Sequence, residues 1–147
     1  MFTVISILLV IFFLLMNAFF VIAEFALVRV RKSQIELAVE EKKPGARAAK
    51  KIAENINAYL SACQLGITLA SLAIGWLGEP AVSAVLEMPL LAAGLPESTI
   101  YPICVGVGFF IVTTLHVVVG ELIPKSFAIF STEKYALATA GPLALFY

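Results

Sequence analysis

Three stretches of the chain carry no charged residue: Phe2 to Ala23, Ala58 to Gly78 and Ser98 to Gly120. Each is 21 to 23 residues long, and a helix needs roughly 20 residues to cross the hydrocarbon core of a bilayer. A soluble amphipathic helix would carry polar residues every three or four positions along one face. These runs do not. Lipid offers no partner to a backbone N–H or C=O, so a run of this kind must satisfy its own hydrogen bonds as a helix. The pattern predicts an all-α integral membrane domain with spans over about 2–28, 58–78 and 99–121.

The remaining segments read differently. Over 33–57, apolar Ile35, Leu37, Ala38, Val39, Ile52 and Ile56 alternate with charges, and Pro44-Gly45 interrupts them. This predicts a juxtamembrane helix, a turn and a second short helix leading into span two. That segment is either a solvated connector or a helix pair lying on the anionic leaflet, where basic residues are attracted to lipid headgroups. Glu79 to Glu97 contains Pro80, Pro89, Gly94 and Pro96 and reads as loop with at most a short helix. Tyr135 to Tyr147 is apolar but too short to span, and reads as an interfacial helix or the start of a truncated span.

Composition agrees with the pattern: 61% of the 147 residues are hydrophobic and 14% charged, against about 25% charged in ordinary soluble domains. The formal net charge is zero, which gives no reason to expect a nucleic-acid partner. Its distribution is more informative. Arg29, Arg31, Lys32, Lys42, Lys43, Arg47, Lys50 and Lys51 lie in the first connection, and Lys125 and Lys134 follow span three. The connection 79–97 holds Glu79, Glu87 and Glu97 and no basic residue. The positive-inside rule therefore predicts a plasma-membrane protein with its N-terminus outside and its C-terminus cytoplasmic. Cys63 and Cys104 fall in apolar runs without metal-ligand spacing and read as free thiols. Met1-Phe2-Thr3 has no basic leader and no cleavage pattern follows it.

Polar groups inside spans are costly and usually face a partner or a water cavity. Asn17 and Glu24 are seven residues apart, two turns, on one face of span one. Gln64, Thr68 and Ser71 share a face of span two, and span three carries His116 and ends at Gly120-Glu121. With spans one and three running the same way, Glu24 and Glu121 converge at the inner mouth. Two bare carboxylates at low dielectric would force one to protonate, and a hard divalent cation such as Mg²⁺ removes the conflict. Pro124 cannot donate to the carbonyl at position 120, leaving that oxygen for a ligand. Plainer alternatives stand beside these. Glu24 could pair with Arg29 or Arg31, Thr68 and Ser71 could bond their own helix backbone, and His116 could be a packed core residue. Glu121 and Lys125 have the spacing of a helix ion pair, with Pro124 between them. No HExxH or GxSxG motif is present and no nucleophile is expected beside His116, so the chain does not read as an enzyme.

Four ordered motifs carry a resemblance. Asn17-Ala18-Phe19-Phe20-Val21-Ile22-Ala23-Glu24-Phe25-Ala26-Leu27-Val28, Gln64-Leu65-Gly66-Ile67-Thr68-Leu69-Ala70-Ser71-Leu72, Gly75-Trp76-Leu77-Gly78-Glu79-Pro80 and Gly120-Glu121-Leu122-Ile123-Pro124-Lys125-Ser126 are similar to the membrane domain of the CorC/CNNM family, in its bacterial haemolysin-like branch. The resemblance implies a homodimer with three spans and juxtamembrane helices per subunit. It implies Mg²⁺ export, coupled to Na⁺, and a continuation into cytoplasmic CBS domains that bind ATP. It assigns Glu121 as the metal-binding carboxylate and makes the Ala23 carbonyl a further candidate, beside Glu24, Thr68, Ser71 and the Gly120 carbonyl, which the placement of polar residues already offers. Asn17, Gln64, Gly66, Pro124 and Lys125 would line the pathway or pack helices. Family members often carry a Ser where this chain has Ala23, and a Gly-Asn-Asn pattern where it has Gly66-Ile67-Thr68. A non-transporting membrane anchor or sensor for the CBS module is the competing class.

Overall fold

A computed structural model describes residues 1–147 and is helical almost throughout. The elements are α1 (Phe2–Arg29), α2 (Lys32–Glu40), α3 (Ala46–Glu54), α4 (Ile56–Ala92), α5 (Glu97–Val117), a π-helical turn (Val118–Leu122), α6 (Ile123–Phe130) and α7 (Thr132–Phe146). Three helices are long and apolar enough to cross a membrane: α1, α4, and the nearly continuous rod Glu97–Phe130. At 1.5 Å per residue, α1 is about 42 Å long and α4 about 55 Å, against a hydrocarbon core of about 30 Å. Large apolar side chains line their outer surfaces, with Trp76, Phe109 and Phe110 among the most exposed. In water such a surface would aggregate; in lipid it is the expected exterior.

The packed core lies at one end. Phe20, Ala23 and Leu27 of α1 meet Ile35 of α2, Ile52 of α3, Cys63 of α4, Ala128 of α6 and Leu143 of α7 there. This is the basic end of the bundle. A much smaller cluster of Leu14, Ile74 and Val112 joins the three long helices nearer the other, acidic end. Small residues let the long helices approach: a Cβ on Gly66 would lie 2.5 Å from the Phe20 ring, and one on Gly78 2.7 Å from Val112. Gly66 and Ala70 are accordingly buried within the chain, Gly66 against Phe20 of α1.

Three sequence expectations need correction. The segment 79–97 is not loop: α4 runs through Pro80 and Pro89 to Ala92. Each proline deletes one helical hydrogen bond, a loss that long membrane helices tolerate. Gly94, two residues past Ala92, terminates the helix. Its φ of +83° is left-handed, and Gly94 N–H and Leu95 N–H donate back to Leu91 O and Leu90 O, a Schellman ending. The third span also continues past 121, through Pro124, to Phe130. Finally, the apolar face of α3 is not free to lie on lipid. Ala46, Ala49 and Ile52 are buried, packed against α2 and α7, while Arg47, Lys50 and Lys51 remain outward or at the edge.

The C-terminal stretch forms α7, which folds back against α1 and α3. Phe146 packs edge-on against Phe20 at 4.8 Å, and Tyr147 lies 4.5 Å from Tyr59. Lys43, in the α2–α3 turn, bridges Glu41 at 2.9 Å and Glu133 of α7 at 3.1 Å. Hydrogen bonding to these carboxylates holds its ammonium above its ordinary pKa. The turn itself is tight. Lys42 has φ +55°, and Lys42 N–H and Lys43 N–H bond back to Val39 O and Ala38 O, so Lys42 occupies the left-handed position that glycine prefers. Gly45 is also left-handed, at φ +81°, and a Cβ there would overlap the Leu137 carbonyl of α7. Lys42→Gly should therefore raise stability by up to about 1 kcal/mol, and Gly45→Ala should lower it by more. Thermal unfolding in detergent measures both; a destabilised Lys42→Gly protein would contradict the reading of this turn.

Candidate functional site

The polar centre is built around a proline. Pro124 lacks an N–H, and in an α-helix its ring would also crowd the carbonyl of residue 120. The chain widens locally instead: residues 118–122 form a π-helical turn in which Ile123 N–H donates to Val118 O. Pro124 then falls in the first turn of α6, where it is tolerated. The Gly120 carbonyl accepts from another helix. Asn17 of α1, fully buried, donates its Nδ2–H to Gly120 O at 2.9 Å. Gly120 leaves room here, because a Cβ would sit 3.0 Å from Asn17 Nδ2 and 3.2 Å from His116 Cδ2, and both would have to give by a few tenths of an ångström.

From Asn17 a polar line crosses the bundle. Ser71 Oγ of α4 lies 3.4 Å from Asn17 Oδ1 and 3.0 Å from His116 Nε2 of α5. His116 Nε2 lies 3.8 Å from Glu121 Oε1, and Glu121 Oε2 lies 3.8 Å from Lys125 Nζ. Lys125 also stands 5.1 Å over the Phe25 ring. One carboxylate, one imidazole, one ammonium, a hydroxyl and an amide thus converge from three long helices. The side chains of His116 and Glu121 are 20% and 33% exposed, so the group is partly open.

The sequence candidates divide accordingly. Asn17, Ser71, Gly120, Glu121 and Lys125 come together. Thr68 does not join them: it is exposed and returns its hydroxyl proton to Gln64 O of its own helix at 2.9 Å. Gln64 is also exposed. Ala23 is buried in the basic-end core, and Gly66 serves helix packing. Glu24 is half-buried and makes no ion pair, with Arg29 and Arg31 or otherwise. It lies two turns, about 10 Å, beyond Asn17 along α1. No three or more His, Cys, Asp or Glu side chains gather as a metal-binding group.

Three details differ from the sequence reading. Gly120 O is not left vacant by Pro124, because Asn17 takes it; one of its two lone pairs stays available. Glu121 and Lys125 pair despite the intervening Pro124, since that proline sits in a first turn and leaves the i, i+4 spacing intact. His116 does have a hydroxyl beside it, Ser71. The arrangement is not a catalytic triad: Glu121 approaches the same nitrogen as Ser71, whereas a triad acid orients the opposite one. The Ser71–His116 contact, across 45 residues, left no trace in the periodicity of either span.

Three long apolar helices with a polar line between them define a multi-pass membrane domain. Residues 8–147 match the family described as the Cyclin M transmembrane N-terminal domain, CNNM, and the chain belongs to that family. It is similar to UPF0053 protein YhdT of Bacillus subtilis, 46% identical over 90% of this chain and 29% of the relative. UPF0053 protein YugS of the same organism is 47% identical over 89% of the chain and 30% of the relative. An uncharacterized protein of Mycobacterium tuberculosis, Rv1841c, is 35% identical over 88% and 36% respectively. The chain thus spans about a third of the length of these relatives.

Asn17→Ala should leave the buried Gly120 carbonyl without a donor and cost about 1–3 kcal/mol. Ser71→Ala, which removes a 3.4 Å contact to the same amide, should cost less. Thermal denaturation in detergent compares the two; an Asn17→Ala protein as stable as the native one would show that the bond does not hold the turn.

Proposed function

We propose that this domain carries a divalent cation, Mg²⁺ in the first instance, across the plasma membrane, as an exporter coupled to Na⁺. The observation that supports this is the placement of Glu121. Its carboxylate sits on a π-helical turn within the third long helix, on a polar line shared with the other two. Such irregular backbone at membrane depth is tolerated where it lines a cavity or an ion path. Lys125 stands on one carboxylate oxygen and His116 near the other. The site is therefore charge-balanced without an ion, and an entering cation displaces the ammonium rather than meeting a bare anion. Ala23 and Ile67 supply no side-chain oxygen, and Thr68 bonds its own helix, so the remaining ligands would be Ser71, the Gly120 carbonyl and water, with Glu24 toward the basic end. Mg²⁺ keeps several waters readily. The family resemblance adds a homodimer and cytoplasmic CBS domains to this reading, and the distribution of basic residues supports an N-terminus outside and a cytoplasmic C-terminus.

The same charge balance favours a second reading. A carboxylate already flanked by Lys125 and His116 could simply be structural, in a membrane anchor for a cytoplasmic sensor. Glu121→Gln separates the two, because it keeps size and hydrogen bonding while removing the charge. In a transporter it should abolish most Mg²⁺ binding, read by calorimetry, and most Mg²⁺ flux from liposomes. Glu24→Gln should reduce both less, and Thr68→Val least. Unchanged binding and flux in Glu121→Gln would leave the anchor reading standing. Orientation is tested separately in intact cells: a cysteine at Glu87 should react with an impermeant thiol reagent and one at Lys43 should not. The reverse labelling would place the basic end outside.

A further inference from the structure

We propose that the acidic-end half of the bundle seats one acyl chain of a membrane phospholipid, in the crevice between α1 and α5. The seat is independent of any cation at the polar centre.

The helix packing opens the crevice. α4 packs along both α1 and α5, but α1 and α5 scarcely touch each other; α1 meets the third rod at the π-helical turn and at α6 instead. Beyond the polar centre the three long helices therefore wall a cavity of about 380 Å³. Its floor is Leu14, Ile74, Ala81 and Val112, each 8% exposed or less. Its rim is Ile7 and Ile11 of α1, Val85 of α4 and Leu115 of α5, all of them exposed. Twelve of the thirteen lining residues are hydrophobic and the other is Gly78, so no side chain there can hold a water molecule.

Surroundings and dimensions select the occupant. The rim residues belong to the apolar exterior that faces lipid, so the crevice continues that surface into the bundle. An empty apolar recess forfeits dispersion contacts along its lining, and hydrocarbon is the matter next to it. From Ile74 to Leu86 the lining runs about 18 Å along α4, close to the depth of one leaflet in a hydrocarbon core about 30 Å thick. Over that length the cavity has a mean cross-section of about 20 Å², whereas a helix about 10 Å across needs about four times as much. A single methylene chain fits the recess; a helix of a second copy does not. The inner end of the crevice is Leu14, Ile74 and Leu115, within one turn of Asn17, Ser71 and His116 respectively. A chain lying there caps the polar centre and withholds it from water on the acidic side.

Photolabelling of the unmodified chain in nanodiscs tests the seat. With a phosphatidylcholine that carries a diazirine along one acyl chain as the probe, label should reach Leu14, Ile74, Ala81 and Val112, which lipid outside the crevice cannot contact. It should also reach the exposed Trp76 and Phe109. Native mass spectrometry after release from dimyristoyl phosphatidylcholine nanodiscs should show one retained lipid per chain. Ala81→Phe fills the floor, and Val85→Trp covers the crevice from its exposed rim without disturbing the buried residues. Each should cut retention about tenfold or more, since every methylene excluded is worth about fourfold in affinity. Trp76→Ala, on the exterior, should leave retention unchanged. Label confined to the exterior, or equal retention in the native protein and both crevice variants, would overturn the proposal. A floor shielded from label in a protein that migrates as a dimer would give the crevice to a second copy and overturn it as well. Neither measurement reads cation binding, so loss of the lipid seat would leave the role of Glu121 untouched.

Discussion

A single missing N–H organises the interior of this domain. Pro124 withdraws the donor that a helix would present to the Gly120 carbonyl, and a buried carbonyl without a partner is costly in any environment, most of all in lipid. The turn at 118–122 widens to accommodate the proline ring, and the amide of Asn17 supplies the lost hydrogen bond. Those two adjustments fix the relative depth of α1 and α5 and carry Glu121 on a defined stretch of backbone. Glycine at 120 leaves room for this, since a Cβ there would push Asn17 and His116 by a few tenths of an ångström.

That arrangement places a carboxylate where an isolated charge would be unfavourable, and the chain answers with nearby groups of its own. Lys125, one turn further on, comes near one oxygen of Glu121, and its ammonium also rests over Phe25. His116 approaches from the preceding turn. The large apolar core lies toward the basic end, where α2, α3 and α7 gather around α1. The polar centre is therefore flanked by a well-packed region on one side and by the sparser Leu14–Ile74–Val112 cluster on the other. Under the proposed cation-carrying role, such a change in packing density is where small movements would cost least.

The three spans were legible because lipid imposes a simple rule: about twenty uncharged residues, with backbone bonds closed internally. The helix–turn–helix over 32–54 was equally visible, since Pro44-Gly45 is strong turn chemistry. The connection after span two was misread because prolines 80 and 89 looked like stops, whereas the true stop is the left-handed Gly94. At the site, Glu121, Asn17 and Ser71 could be singled out as polar residues in apolar surroundings. Their partners could not be read, because a residue's depth in the bundle depends on how long helices of unequal length are offset. Thr68 shares a helix face with Ser71, yet Ser71 meets α1 and α5 while Thr68 bonds its own backbone.

The central claim is that the Asn17 amide holds the turn that carries Glu121, and magic-angle-spinning NMR of the chain in bilayers addresses it directly. The chain has only three asparagines, at 17, 55 and 57. Protein labelled with ¹⁵N in asparagine and ¹³C in the glycine carbonyl should give a through-space cross-peak between an asparagine side-chain nitrogen and a glycine carbonyl, and that peak should vanish in Asn17→Ala. A spectrum of the native protein without the peak, or one that keeps it in the variant, would contradict the account.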